Sequence, residues 1–62
     1  MKEFYENEVV LAQQQFGYCD REGIIVEFYT NAHGVKCAYV VHNDDSIESY
    51  ALGSLKHIVK DN

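Results

Sequence analysis

Apolar and polar residues alternate in short runs from Gly23 to Leu55, and small polar residues separate the runs. The runs read GIIVEFYT, VKCAYVVH and IESYAL, and the segments between them read NAHG and NDDS. Short runs rich in β-branched and aromatic residues, bounded by Asn, Asp, Gly and Ser, are typical of antiparallel strands joined by tight turns. The pattern therefore predicts a mainly β fold, wound as a small barrel or meander.

The first two runs predict a hairpin with two distinct faces. If Thr30 pairs with Val35, one face of the hairpin is apolar throughout and the other is mixed, and such segregation favours this register. We expect the apolar face to be the core. Its members are Ile24, Val26, Phe28, Cys37, Tyr39 and Val41. The mixed face comprises Ile25, Glu27, Tyr29, Lys36, Ala38 and Val40.

The next strand is predicted at Ile47–Ala51. The length of the turn before it decides which of its residues lie on the core face. A two-residue turn would place Glu48 opposite Val41, on the predicted core face, whereas a turn with an odd number of residues would place Ile47 or Ser49 there. We prefer the odd turn, because it keeps a carboxylate out of the core.

Leucines and an isoleucine recur at three-residue spacing in the C-terminal part of the chain. Leu52, Leu55 and Ile58 predict one short helical turn near 52–55, followed by a last strand over 56–60. With Val10 and Ala12 from the N-terminal part, these residues complete the predicted core.

The N-terminal quarter fits two structures. Tyr5, Val9, Ala12 and Phe16 recur at helical spacing, with Gly17 placed to end a helix. The run EVVLA, however, has the β-branched content of a strand. We prefer the strand, which completes a five-stranded barrel. The alternative is an N-terminal helix packed on a three-stranded antiparallel meander.

Four short segments resemble the strands and the helical turn of a known barrel type. After Phe4 come VLA, then GIIV, then AYV, and finally LGSL beyond an acidic turn. Over residues 4–60 the chain resembles the small SH3-like barrels of the Tudor and KOW type. The resemblance implies a five-stranded SH3-like barrel. Tudor domains that bind methylated lysine or arginine have aromatic cage residues near the acidic turn; here that turn reads NDDS, so no methyl-ligand cage is implied.

Length, hydropathy and cysteine content indicate the number of domains and the cellular compartment of the protein. A chain of 62 residues is expected to form one domain, spanning 1–62. It has no apolar stretch of about 18 residues that could span a membrane. The opening MKEF leads into acidic residues rather than an apolar signal core. We therefore expect a cytoplasmic protein in which Cys19 and Cys37 are free thiols.

Charge and side-chain chemistry narrow the function classes. The chain has 10 acidic and 5 basic residues, a net charge of −5, and its cations are scattered. Nucleic acids and anionic membranes are bound by clustered cations, so both are disfavoured as partners. Four residues could ligate zinc, but no two are closely spaced as in known zinc sites: Cys19, His33, Cys37 and His42. No catalytic or phosphate-binding motif is present. We expect no enzyme activity, no metal and no cofactor.

Tyrosines on the mixed face of the hairpin are the strongest candidates for a binding role, because tyrosine is enriched at protein interfaces. The predicted partner-binding residues are Tyr18, Ile25, Glu27, Tyr29, Lys36 and Val40. We expect a non-enzymatic interaction module, an adaptor or small acidic inhibitor, that binds a basic protein surface or a second copy of itself. The alternative is a KOW-like nucleic-acid-binding domain, which requires Arg21, Lys36 and Lys56 to converge.

Overall fold

The computed structural model describes residues 3–15 and 19–58, which form one antiparallel sheet with almost no helix. Its elements in chain order are β1 (Val9–Ala12), β2 (Arg21–Thr30), β3 (Lys36–His42), β4 (Ile47–Ala51), a 3₁₀ turn (Leu52–Ser54) and β5 (Leu55–His57). The strands lie in the order β4-β3-β2-β1-β5. The mainly β prediction is confirmed, and the alternative of an N-terminal helix is wrong, since Val9–Ala12 is a strand.

Side chains in both predicted turns stabilise the backbone. Asn31 Oδ1 accepts hydrogen bonds from the backbone N–H groups two and four residues further on, at 2.8 and 3.0 Å. Gly34 then has φ of 79°, a left-handed conformation that glycine adopts without strain. In the second turn, Asp44 Oδ1 accepts bonds from the backbone N–H and the hydroxyl of Ser46, at 3.1 and 2.6 Å. Asp45 has φ of 66°, which aspartate tolerates better than most residues.

The pairing of β4 with β3 and the position of the helical turn agree with the predictions. Ile47 pairs with Val41, so the odd turn is confirmed. The predicted helical turn is present at Leu52–Ser54. The last strand begins one residue earlier than predicted, at Leu55, and ends at His57; the predicted positions 59 and 60 lie outside the described residues.

The connection between β4 and β5 requires the sheet to curl. These strands are the two edges of the five-stranded sheet, yet only the three residues Leu52–Ser54 join them. In a flat sheet with neighbouring strands about 4.8 Å apart, the edges would be about 19 Å apart. A chain from Ala51 to Leu55 spans at most about 14 Å. The sheet therefore curls around its buried face, here called the inner face, and the opposite side is the outer face.

Small and β-branched side chains fill the inner face. The buried core consists of Val10, Ala12, Ile25, Ala38, Val40 and Leu55. Partly buried residues that pack against this core are Phe4, Phe28, Tyr50 and Leu52. Of the predicted core, Val10, Ala12, Leu55 and the thiol of Cys37 are indeed buried.

The assignment of the hairpin faces, by contrast, is wrong for its central residues. Ile24 and Val26 are each 44% exposed and Tyr39 is 37% exposed, although all three were expected in the core. Ile25 and Val40 are 0% exposed, although both were expected at the surface. The predicted pairing is correct near the start of β2, where Ile24 pairs with Val41 and Ile25 with Val40. It is wrong near the end of β2, where Thr30 pairs with Lys36 rather than with Val35. The choice of core face is wrong as well.

Two features select the inner face. Gly23 lies so close to β3 that a Cβ atom there would overlap Val40 Cγ1 and approach the Val41 carbonyl oxygen to 2.9 Å. The face containing Gly23 is therefore the crowded one. In addition, the pairing of β2 with β3 shifts by one residue at Val26, a β-bulge. The extra residue brings Ile25 and Phe28 to the same side, which strict alternation would not allow, and leaves Glu27 exposed.

Candidate functional site

The outer face has a continuous row of apolar side chains. Val9 pairs with Ile24, Ile24 with Val41, and Val41 with Ile47, so the row crosses four strands. Residues directly opposite each other in a sheet share a face, so the four side chains lie side by side. Val9 is 36% and Ile47 62% exposed, and Val41 is half-buried. Four adjacent apolar side chains open to solvent form a surface that a partner could cover.

Aromatic residues extend this row toward the end of β2. The rings of Tyr29 and Tyr39 stack with centroids 4.7 Å apart. The Tyr29 hydroxyl is hydrogen-bonded to the Ser49 hydroxyl on β4. Tyr39 and the bulged Val26 are both exposed. We call the combined surface the outer patch; its members are Val9, Ile24, Val26, Tyr39, Val41 and Ile47. Exposed apolar groups gathered in this way usually mark an interaction site on a soluble protein.

Unpaired carboxylates lie beside the outer patch. Glu27 pairs in the sheet with Tyr39, and Glu22 lies two residues before Ile24 on β2, on the same face. Both are exposed, and neither forms an ion pair within the described part of the chain. Asp45, also exposed and without an ion pair there, lies two residues before Ile47. The rim of the patch is therefore acidic.

Of the three Lys and Arg residues in the described part of the chain, in contrast, two are paired with carboxylates. Arg21 lies 2.8 Å from a Glu48 oxygen and 3.4 Å from an Asp44 oxygen. Lys56 lies 3.3 Å from Asp20. The pKa of Asp44 is held below its ordinary value, mainly because Ser46 donates hydrogen bonds to the carboxylate and also because Arg21 is near. These pairs leave the positive charge of Arg21 and Lys56 compensated locally.

A groove of about 700 Å³ adjoins the outer patch at the end of β2. Phe4, Phe28 and Leu52 line it, so its wall is largely apolar. Tyr29 and Lys36 also line it, and Tyr29 is thus shared between the groove and the stacked tyrosine pair.

A buried histidine links three strands at the other end of the sheet. His42 is 3% exposed and is the buried polar residue of the described chain. Its Nδ1 lies 3.0 Å from the Glu22 carbonyl oxygen, so Nδ1 carries a proton and donates it. Its Nε2 lies 2.7 Å from the Tyr50 hydroxyl, which also lies 3.3 Å from Gln14 Nε2 and 3.3 Å from a Glu48 oxygen. Both ring nitrogens are used to hold the fold together.

The structure separates the residues that could ligate a metal. Among residues 3–15 and 19–58, no three His, Cys, Asp or Glu side chains are grouped so that they could hold an ion. Cys19 is exposed, Cys37 is buried, and both are free thiols. No helix in the described ranges is long and apolar enough to cross a membrane.

The predicted partner-binding residues are dispersed. Ile25 and Val40 are fully buried, so their predicted exposure is wrong. Glu27 and Lys36 are exposed, and Tyr29 is half-buried. The remaining predicted residue, Tyr18, lies outside the described residues.

Sequence reasoning missed the outer patch because four of its six residues were assigned to the core: Ile24, Val26, Tyr39 and Val41. A signal was present in the sizes of the side chains. The inner face contains Gly23 and Ala38, the two smallest residues of β2 and β3, and small residues allow a tightly curled sheet to close around its core. Ile24 and Tyr39 belong to the bulkier face, which has space only on the outside.

Comparisons with family models, curated proteins and solved structures found no match to this chain.

Proposed function

We propose that this protein is a non-enzymatic interaction module, acting as an adaptor or small acidic inhibitor, which binds a basic protein surface through the outer patch. The observation that carries the proposal is the exposed row Val9–Ile24–Val41–Ile47, which crosses four paired strands. A rigid sheet presents these side chains with little loss of conformational entropy on binding, which favours a specific interface.

Charge supports a basic partner. The chain has a net charge of −5, and Glu22, Glu27 and Asp45 beside the patch have no ion-pair partner in the described part of the chain. Lysine and arginine side chains of a partner would meet these carboxylates at the rim, where charge complementarity mainly raises the association rate and the selectivity.

The position of the cations favours a protein partner over a nucleic acid. Arg21 begins β2, whereas Lys36 pairs with Thr30 at its far end. At about 3.3 Å per residue, these two positions are roughly 30 Å apart along the strand. Arg21 and Lys56 are also engaged by carboxylates. A phosphate backbone needs several free cations in one place, so the KOW-like alternative has less support.

The curl of the sheet supports the SH3-like barrel as the finer description of the fold. The 3₁₀ turn connects the two edge strands over three residues, and the Gln13 N–H donates to the Ser54 carbonyl at 2.8 Å. In such a barrel the groove beside Tyr29 and Lys36 is a secondary contact region for the same partner.

Two serine variants within the outer patch and one matched control outside it test the proposed interface. Ile24 and Val35 are each 44% exposed, but Val35 lies before β3 and outside the outer patch. The immobilised protein and its Ile24→Ser, Ile47→Ser and Val35→Ser variants are each incubated with lysate of the source organism, and retained proteins are identified by mass spectrometry. We expect a protein that the wild type and Val35→Ser retain and that both isoleucine variants lose.

Circular dichroism first establishes that all four proteins are folded under the pull-down conditions. Retention of the same proteins by all four would contradict binding through the outer patch.

A further inference from the structure

β4 is an edge strand with free backbone groups. One side of β4 pairs with β3, from Val41↔Ile47 to Cys37↔Ala51, and no strand of the described chain lies on its other side. The N–H of His42 donates to the Ser46 carbonyl at 2.9 Å, which sets the alternation of the ladder. Along an antiparallel strand, residues whose backbone groups point toward the neighbouring strand alternate with residues whose backbone groups point away from it. Because Ser46 bonds to β3, Ile47 and Ser49 direct their backbone N–H and C=O groups away from β3.

Little protects this edge from another strand. Natural sheets shield their edges with proline, lysine, bulges or inward-pointing charges. β4 reads IESYA, with no proline or lysine, and its pairing with β3 has no bulge. Its one charged residue, Glu48, shares the Arg21 guanidinium with Asp44, so these three groups together keep a net negative charge.

Side chains on the two faces of β4 define what an added strand should carry. Ile47 faces outward and is 62% exposed, at the end of the apolar row. Glu48 lies on the opposite face, and Asp44 and Asp45 lie in the turn before β4. A strand added beside β4 would extend the apolar row with a side chain next to Ile47. The alternate residues of the added strand would point to the opposite face and lie next to Glu48.

We infer that the partner docks by adding an extended segment to the free edge of β4, with apolar residues on the outer face alternating with cationic residues on the other. The inference rests on the proposed function and specifies its binding mode. Backbone hydrogen bonds to Ile47 and Ser49 supply affinity, and the alternating side chains supply specificity. A second copy of the chain is a poorer occupant, because each copy has a net charge of −5.

The experiment uses a short synthetic peptide in which lysine and valine alternate. Binding is followed by NMR, together with amide hydrogen exchange of the domain at saturating peptide. We expect the exchange of the Ile47 and Ser49 amides to slow by about tenfold or more, because their N–H groups become hydrogen-bonded. Ser49→Pro removes one outward N–H and should abolish this binding, whereas Ser49→Ala retains the N–H and should bind like the wild type.

Peptide controls keep the inference testable if Ser49→Pro fails to fold. A lysine–valine peptide with N-methylated backbone amides should not bind. A glutamate–valine peptide should bind at least about tenfold more weakly than the lysine–valine peptide, a difference of about 1.4 kcal/mol. Equal binding of the N-methylated peptide, or of the glutamate peptide, would overturn the inference, and so would absence of any binding. The pull-down with Ile24→Ser decides the proposed function independently, since a partner could cover the outer patch without adding a strand.

Discussion

Two neighbouring isoleucines offer a direct test of which face of the hairpin is the core. Ile24 and Ile25 are adjacent in β2 and chemically identical, but Ile24 is 44% exposed and Ile25 is 0% exposed. Truncating each to alanine removes the same atoms from opposite faces. The comparison is therefore internally matched for β-propensity and for the size of the deletion.

Burial sets the expected magnitudes. Truncation of a fully buried isoleucine costs about 2–5 kcal/mol, because a cavity adds to the lost transfer free energy. For Ile24→Ala, three carbons at about 0.8 kcal/mol each, scaled by the covered fraction of roughly half, give about 1 kcal/mol. The total free energy of unfolding expected for a domain of this length is only about 3–9 kcal/mol. Ile25→Ala should therefore remove much of the stability of the protein.

Thermal unfolding followed by circular dichroism measures the difference. At about 4–8 °C per kcal/mol for a domain of this size, Ile24→Ala should lower Tm by about 4–8 °C. Ile25→Ala should lower Tm by at least about twice as much, or leave the protein unfolded at room temperature. Equal losses, or a greater loss for Ile24→Ala, would refute the assignment of Ile25 to the inner face.

Three further substitutions test individual contacts. Gly23→Ala should cost about 1–3 kcal/mol, because the added Cβ overlaps the neighbouring strand; an unchanged urea midpoint would contradict this close packing. Tyr50→Phe removes the hydroxyl that lies 2.7 Å from His42 Nε2 and should cost about 1–3 kcal/mol, whereas Tyr39→Phe, on the exposed face, should be nearly neutral; equal urea midpoints for the two variants would oppose the role of this hydrogen bond. Because folding lowers the pKa of Asp44 below 3.8, its contribution to stability is present above that pH and lost as pH falls through the folded pKa. Ser46→Ala should raise that pKa in an NMR titration, and an unchanged value would rule out the serine as its main cause.

Much of the secondary structure was predictable because its causes are local. The NAHG and NDDS segments form turns because Asn31 and Asp44 bond their own backbone and because Gly34 accepts a left-handed conformation. The short helical turn at Leu52–Ser54 followed in the same way from residue spacing. The odd turn before Ile47 was predicted correctly but for a reason that fails, because Glu48 pairs with the buried Val40 and so lies on the inner face.

The candidate site was predictable only in its chemistry. An apolar and tyrosine-containing face with an acidic rim follows from composition and from the two-residue period of a strand. Composition and strand period do not show which residues form that face. Tyr29 and Lys36 were expected at a binding surface and line the groove beside the patch, whereas Ile25 and Val40 are in the core.

Residue type and spacing were enough to predict β2, β3 and β4, the turns between them and the pairing near the start of β2. They did not show which side of the sheet is buried, because that depends on contacts between distant strands. In GIIV three apolar residues follow one another, so alternation alone is equally consistent with either face. The curl leaves little room inside, where Gly23 and Ala38 fit, and the bulge at Val26 places Ile25 and Phe28 together. Curl and bulge both arise from contacts between distant strands, and these contacts leave the larger side chains of Ile24 and Tyr39 facing solvent.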